Sequence, residues 1–259
     1  MTPILEITDL RLRLPNDTRT LLLDGVTLTV DQGETVSLVG ESGSGKSVTV
    51  RAVLGLVPEG AVVTGSILFR GQAVGEMSRD ELRRYRQRGA AMIFQDPRAA
   101  INPVRPIGDY LTEGLRISRG LSKQEAITAA TSLLESVGIS RPAERLSQYP
   151  HEFSGGMLQR VMIAGAIGSG AELLLADDPT TALDVSIQAE IMGLLAEIQQ
   201  RLGLAVVFVT HDIDLAVATS SRIDVMYAGR VVESRNAREL HDAPWHPYSA
   251  ALITSRPMV

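Results

Sequence analysis

"TVSLVGESGSGKS", residues 35 to 47, decides the fold of this chain. Its first half is a short β-branched and apolar run, the composition of a buried strand. The second half, Gly40, Glu41, Ser42, Gly43, Ser44, Gly45, Lys46 and Ser47, fits the spacing G-x-x-x-x-G-K-[ST]. "KSVTVRAVLGL" then continues as a helix, so the glycine-rich turn stands between a strand and a helix, where phosphate binding needs it. Glycines let consecutive backbone N–H groups curl around phosphate oxygens, and the helix N-terminus adds positive potential. Lys46 reaches the outer phosphates, and the Ser47 hydroxyl is a ligand for Mg²⁺. Four fixed positions at ordinary residue frequencies arise by chance in roughly one chain of this length in a hundred.

A second stretch completes the picture. "LLLADDPTT", residues 173 to 181, runs Leu and Ala straight into two carboxylates, Asp177 and Asp178. An apolar strand ending in Asp is the expected partner of such a cradle, because Asp177 can hold Mg²⁺ while neighbouring strands keep it rigid. Asp178, one residue further, is placed to orient or deprotonate an attacking water. Two close carboxylates repel, and a bound cation relieves that repulsion.

The rest of the chain supplies the frame. Alternating runs at Ile4–Leu14 and Leu21–Val30 flank "PNDT" and read as an antiparallel hairpin. "SKQEAITAATSLLESVG" has Ser122 and Glu125 as a capping box, apolar residues at helical spacing and Gly138 as a stop, which places a helical insert at about 96–165. "LLLAD" and "LAVVFVT" (Leu204–Thr210) are continuous apolar runs of the kind that parallel strands show when both faces are covered. Between them Ile187, Ile191, Leu194, Leu195 and Ile198 form one helical stripe. "DVMYAGRVVES" closes with a hairpin around Ala228 and Gly229. The alternation of strand and helix argues an α/β fold with a parallel-sheet core. It is expected as one domain, with residues 1–95 and 166–240 as the core and 241–259 as a short tail.

Composition sets outer limits. With 259 residues, 44% hydrophobic and 21% charged, the chain can bury a full core. Its apolar runs fall far short of the roughly 18 residues that span a bilayer, so no crossing is expected. "MTPILEITDL" carries Glu6 and Asp9 where an export signal needs a positive start, which points to the cytosol. The absence of cysteine excludes disulfides and cysteine-held iron–sulfur clusters. A formal charge of −5 argues against nucleic acid as a partner. "RRYRQR", Arg83 to Arg88, reads as a solvated helix face beside Asp80 and Glu81. His151, His241 and His246 lack metal-like spacing and read as structural or surface residues.

Four motifs in order carry a resemblance: the cradle, "MIFQDP" (Met92–Pro97), "EFSGGMLQR" (Glu152–Arg160) just before "LLLADDPTTALD", and "VTHD" (Val209–Asp212). Together they resemble the nucleotide-binding subunit of ATP-binding cassette (ABC) transporters, over nearly the whole chain, which implies a P-loop NTPase (RecA-like) parallel-sheet core with an antiparallel β subdomain and an α-helical subdomain. The resemblance implies that Gly40–Ser47 is the Walker A loop, Gln95 the Q-loop glutamine that also faces the metal, and Asp177 the end of Walker B. Asp178 matches the catalytic glutamate position, Ala182–Asp184 the D-loop and His211 the switch histidine. Ser154, Gly155 and Gly156 match the signature motif, which in the family faces the γ-phosphate of ATP held by the other subunit. "YPHEFSGGMLQRVMIA", "MIFQDPRAAINPV" and "HPYSAAL" look like the cassettes of dipeptide, oligopeptide and nickel importers. ATP and Mg²⁺ are then implied, with a second cassette, two membrane permeases and, indirectly, an extracytoplasmic solute-binding protein as partners. The implied location is peripheral, on the cytoplasmic face of the cell membrane.

Two departures from the family pattern matter. Asp178 stands where Glu is expected, and withdrawing a carboxylate by about 1 Å can cost on the order of 10²-fold in rate. A degenerate, slowly hydrolysing site paired with a different cassette in a heterodimer is therefore expected. Leu14 and Pro15 stand where the family offers an aromatic ring to adenine. Two other readings stay open at this level: a non-catalytic nucleotide-sensing cassette, and a soluble ABC ATPase of translation or DNA repair.

Overall fold

A computed structural model describes residues 3–15, 21–180 and 184–254. Asn16 to Thr18 of the first hairpin turn, Ala182 and Leu183 of the expected D-loop, and the last five residues of the tail lie outside the described residues. The chain falls into two compact units, Met1–Leu82 with Ala205–Val259, and Arg83–Leu204.

The first unit opens with strands β1 (Leu5–Arg13) and β2 (Leu21–Val30), paired antiparallel as their alternation predicts. Leu5, Ile7, Leu10 and Leu12 of β1 are all buried. The alternation slips between Ile7 and Leu10, where the register with β2 shifts and Asp9 takes φ 46. Such a bulge turns the strand by one residue, so both halves still face the core. β3 (Thr35–Val39) and α1 (Lys46–Val53) follow, and then β4 (Val62–Phe69) and the two-residue β5 (Gln72–Ala73). β4 returns beside β1 to give the order β2-β1-β4-β5.

After α2 (Arg79–Arg84) the second unit supplies β6 (Ala90–Ile93), the helices α3 (Pro97–Ala100), α4 (Ile107–Arg119), α5 (Lys123–Ser136), α6 (Pro142–Arg145) and α7 (Gly155–Gly168), then β7 (Leu173–Asp177) and α8 (Val185–Leu202). The capping box of α5 forms: the Glu125 amide donates to Ser122 Oγ, and the Ser122 amide donates to Glu125 Oε2. Leu158, Val161, Met162 and Ile163 of α7 are buried, as an apolar run in a helix core requires. β6 and β7 pair in parallel, Ile93 beside Ala176.

The expectation for "RRYRQR" holds for its charges, since Arg83, Arg84, Arg86 and Arg88 are all exposed, but not for Tyr85. "RRYRQR" is not a uniformly solvated face: the helix widens to a π-turn over Tyr85–Gly89, and Tyr85 is buried. Burial pushes the Tyr85 phenol well above its ordinary range. Arg88 Nε donates to the Ser118 carbonyl. The arginines surround an aromatic anchor, which a charge count does not reveal.

The first unit resumes with β8 (Ala205–Thr210), α9 (Ile213–Thr219), β9 (Arg222–Tyr227), β10 (Arg230–Asn236), α10 (Ala237–Asp242) and α11 (Pro247–Thr254). β3 lies between β8 and β9, parallel to both, and β10 closes antiparallel on β9 through Ala228 and Gly229. Every β8 side chain is buried, which is why the sequence shows a continuous apolar run instead of alternation.

Candidate nucleotide-binding site

In the first unit the loop 40–47 leaves the carboxyl end of β3. Gly40 has φ 151, and a Cβ on it would lie 2.2 Å from the Met226 carbonyl oxygen. Only glycine lets the chain turn this tightly against the β9–β10 hairpin. The hairpin in turn holds the loop: the Gly229 amide donates to the Ser44 carbonyl at 2.9 Å, and the Asp24 amide donates to the Gly229 carbonyl at 2.8 Å. Lys46 is buried, with Nζ donating to the Gly40 carbonyl (2.7 Å), the Glu41 carbonyl (2.8 Å) and, more weakly, Ser44 Oγ (3.4 Å). The ammonium is thus centred in the concavity of its own loop. Gly45 precedes α1 in the left-handed conformation with no side-chain cap, so no capping side chain covers the amides of the first turn. Concave backbone, helix N-terminus and ammonium form an anion cradle.

His211 belongs to the same unit. Val39 and Thr210 are register partners, so Gly40 and His211 leave the carboxyl ends of adjacent parallel strands, the edge at which open α/β sheets bind ligands. His211 is exposed, and its neighbour Asp212 caps α9 by accepting from the Leu215 amide at 3.0 Å.

The second unit carries the other candidates. Asp177 ends β7 fully buried, and Asp178 follows at φ 47 and half-buried. Gln95 is exposed two residues beyond β6, just before Asp96, which caps α3 by accepting from the Arg98 amide at 2.8 Å. The parallel pairing of β6 and β7 therefore brings Gln95, Asp177 and Asp178 to one edge of this pair. Ser154, Gly155 and Gly156 open α7, with Ser154 exposed and its Oγ accepting from the Met157 amide at 3.3 Å. A Cβ on Gly156 would lie 2.8 Å from Ile187 Cγ2, so glycine there lets α7 approach α8. Asp184 is the exposed N-cap residue of α8, where Gln188 Nε2 donates to the Thr180 carbonyl at 2.9 Å.

The candidate metal ligands Ser47, Gln95 and Asp177 offer a hydroxyl, an amide oxygen and a carboxylate. All are hard oxygen donors, the set that suits Mg²⁺. Among the described residues no group of three or more His, Cys, Asp or Glu side chains could hold a metal alone.

One contact was not anticipated from the motifs. The Glu41 amide donates to the Tyr248 hydroxyl at 3.0 Å, across 207 residues of sequence. "HPYSAAL" marks the tyrosine in the sequence, but nothing local announces where its hydroxyl lands.

The model of the ABC transporter family matches residues 23–181. The fold is that of an ABC nucleotide-binding domain: CbiO1 of Clostridium perfringens, part of the ABC transporter complex CbiONQ, superposes with a TM-score of 0.80 at 27% identity, over 94% of this chain and 92% of that one. The ATP-binding cassette MJ0796, solved as a dimer bound to ADP and Pi, superposes with a TM-score of 0.80 at 28% identity, over 90% and 99%. The chain belongs to the ABC transporter family, and within it to the group of ATP-binding proteins named for peptide import. The oligopeptide transport ATP-binding protein OppD of Bacillus subtilis is 42% identical over 99% of this chain and 73% of its own length. The dipeptide transport ATP-binding protein DppD of Escherichia coli is 46% identical over 91% and 72%. Among the described residues no helix is long and apolar enough to cross a membrane.

Proposed function

We propose that this chain energises the import of peptides by binding and hydrolysing ATP on the cytoplasmic face of a membrane. It works there with a second, different cassette and two permeases, fed by a solute-binding protein. The observation that supports this most directly is the loop 40–47, held against the β9–β10 hairpin with Lys46 Nζ drawn into its centre. The peptide assignment rests on the relatives named for oligopeptide and dipeptide transport.

In this reading the amides of the loop and the N-terminus of α1 bind the phosphates, and Lys46, held by the Gly40 and Glu41 carbonyls, exchanges its weak Ser44 contact for a phosphate oxygen. Ser47, Gln95 and Asp177 would hold Mg²⁺, which supplies charge neutralisation across the phosphates. Asp178 orients a water for attack, and His211 faces the γ-phosphate. Ser154, Gly155 and Gly156 open α7 toward the γ-phosphate on the neighbouring cassette, where a helix N-terminus is suited to an anion. Asp184 lies at the same interface.

The test is reconstitution. The chain should co-purify with a second cassette and two permeases, and in vesicles the assembly should take up an oligopeptide presented by its binding protein only when ATP is supplied on the cassette side. Uptake without ATP, or permeases that assemble without this chain, would overturn the proposal.

A further inference from the structure

Tyr248 lies beyond the residues matched by the family model, yet it touches the phosphate loop directly. Its ring packs against Tyr227, with centroids 4.6 Å apart and the planes tilted by 46°. It also lies on the apolar cluster built from Val39, Ile213, Val225 and Leu240. The backbone around it is fastened from below. Buried Glu233 on β10 accepts from the Trp245 amide at 2.8 Å and the His246 amide at 2.9 Å, and the Tyr248 amide donates to His246 Nδ1 at 3.1 Å. The Tyr248 hydroxyl is therefore delivered to a fixed point in space.

That point is the Glu41 amide. The other end of the same residue, the Glu41 carbonyl, is one of the acceptors of Lys46 Nζ. Glu41 and Ser42 are exposed, so the first half of the loop has little packing of its own to define its path. We propose that Tyr248 is a positioning residue of the ATP site, holding the Glu41 segment in the path that presents Lys46 to the phosphates. The inference rests on the reading of residues 40–47 as the triphosphate cradle. It assigns the "HPY" segment to that site and makes α11 a strut of the nucleotide loop.

The test is a double-substitution cycle on the full chain, read by equilibrium titration with a fluorescent ATP analogue and Mg²⁺. Tyr248→Phe keeps the ring stack and removes only the hydroxyl, so the fold is retained. It should weaken binding roughly five-fold, the loss of one hydrogen bond. In a Lys46→Ala background the same substitution should have no further effect, because Tyr248 acts through the lysine. Equal affinity of Tyr248→Phe and the unsubstituted chain would overturn the inference, as would an equal five-fold loss in both backgrounds, which marks a merely structural role. An unsubstituted chain that binds no better than Lys46→Ala would overturn the cradle reading itself, a result distinct from both.

Discussion

Lys46→Ala in the reconstituted transporter should abolish ATP-driven peptide uptake and lower nucleotide affinity by about 10²-fold, the scale of losing a charge-assisted contact to phosphate. Two effects add. The phosphates lose their only ammonium within the loop, and the Gly40 and Glu41 carbonyls, which converge on Nζ at 2.7 and 2.8 Å, lose the cation that draws them inward. Without it their dipoles face an incoming triphosphate. The substitution trims a side chain that packs in the cradle, not in the core of either sheet, so the chain should still fold. Titration and turnover, measured on protein with an unchanged circular dichroism spectrum, check this. Uptake that persists would remove the phosphate loop from the mechanism.

Asp178→Glu should act in the opposite direction. If the carboxylate is one methylene short, restoring it should raise turnover by about 10²-fold, the scale of a 1 Å correction in a reacting geometry. A second, smaller effect should accompany it. Residue 178 sits at φ 47, a conformation Asp tolerates better than Glu, so the variant should be less stable by up to about 1 kcal/mol. Faster turnover with lower stability would be hard to attribute to a general improvement of the protein. Unchanged turnover would place the chemistry elsewhere and favour a cassette that senses nucleotide without cleaving it. The comparison is made best in the assembled transporter, where the partner cassette contributes a constant background.

What could be read from the sequence was what is encoded locally. The strand-loop-helix at 35–53 is dictated by β-branched residues, glycines and a helix start within one short window. The same holds for the Ser122–Glu125 box, whose partners are three residues apart. The strand β4 escaped because its first four residues are exposed and show no alternation, leaving only Ile67 and Phe69 buried. Its place beside β1 is set by register with residues far away in sequence, from Arg13 opposite Val62 to Leu5 opposite Phe69, not by its own pattern. The π-turn at Tyr85 hid within a run of arginines whose charge suggested solvent. At the candidate site the loop 40–47 and the Asp177–Asp178 strand end were nameable from spacing, and Gln95, Ser154–Gly156, Asp184 and His211 only through the family resemblance, yet the bond from Glu41 to Tyr248 was readable from neither, since it joins segments 207 residues apart. The helical caps show the same division. Asp96, Ser154 and Asp212 read as motif members, and the structure adds that each also stabilises the helix that follows it.

The central claim is that one ATP is shared between the loop 40–47 of one cassette and the opening of α7 of another. The most direct measurement is a structure of the chain with its partner cassette, Mg²⁺ and a non-hydrolysable ATP analogue. The account predicts the triphosphate on Lys46 and the amides of residues 43–47, with the serine and glycines of the neighbour's signature segment on its γ-phosphate. Reciprocally, Ser154–Gly156 of this chain should rest on the neighbour's analogue. An analogue enclosed by a single molecule, with Ser154 facing solvent in every assembly, would contradict it.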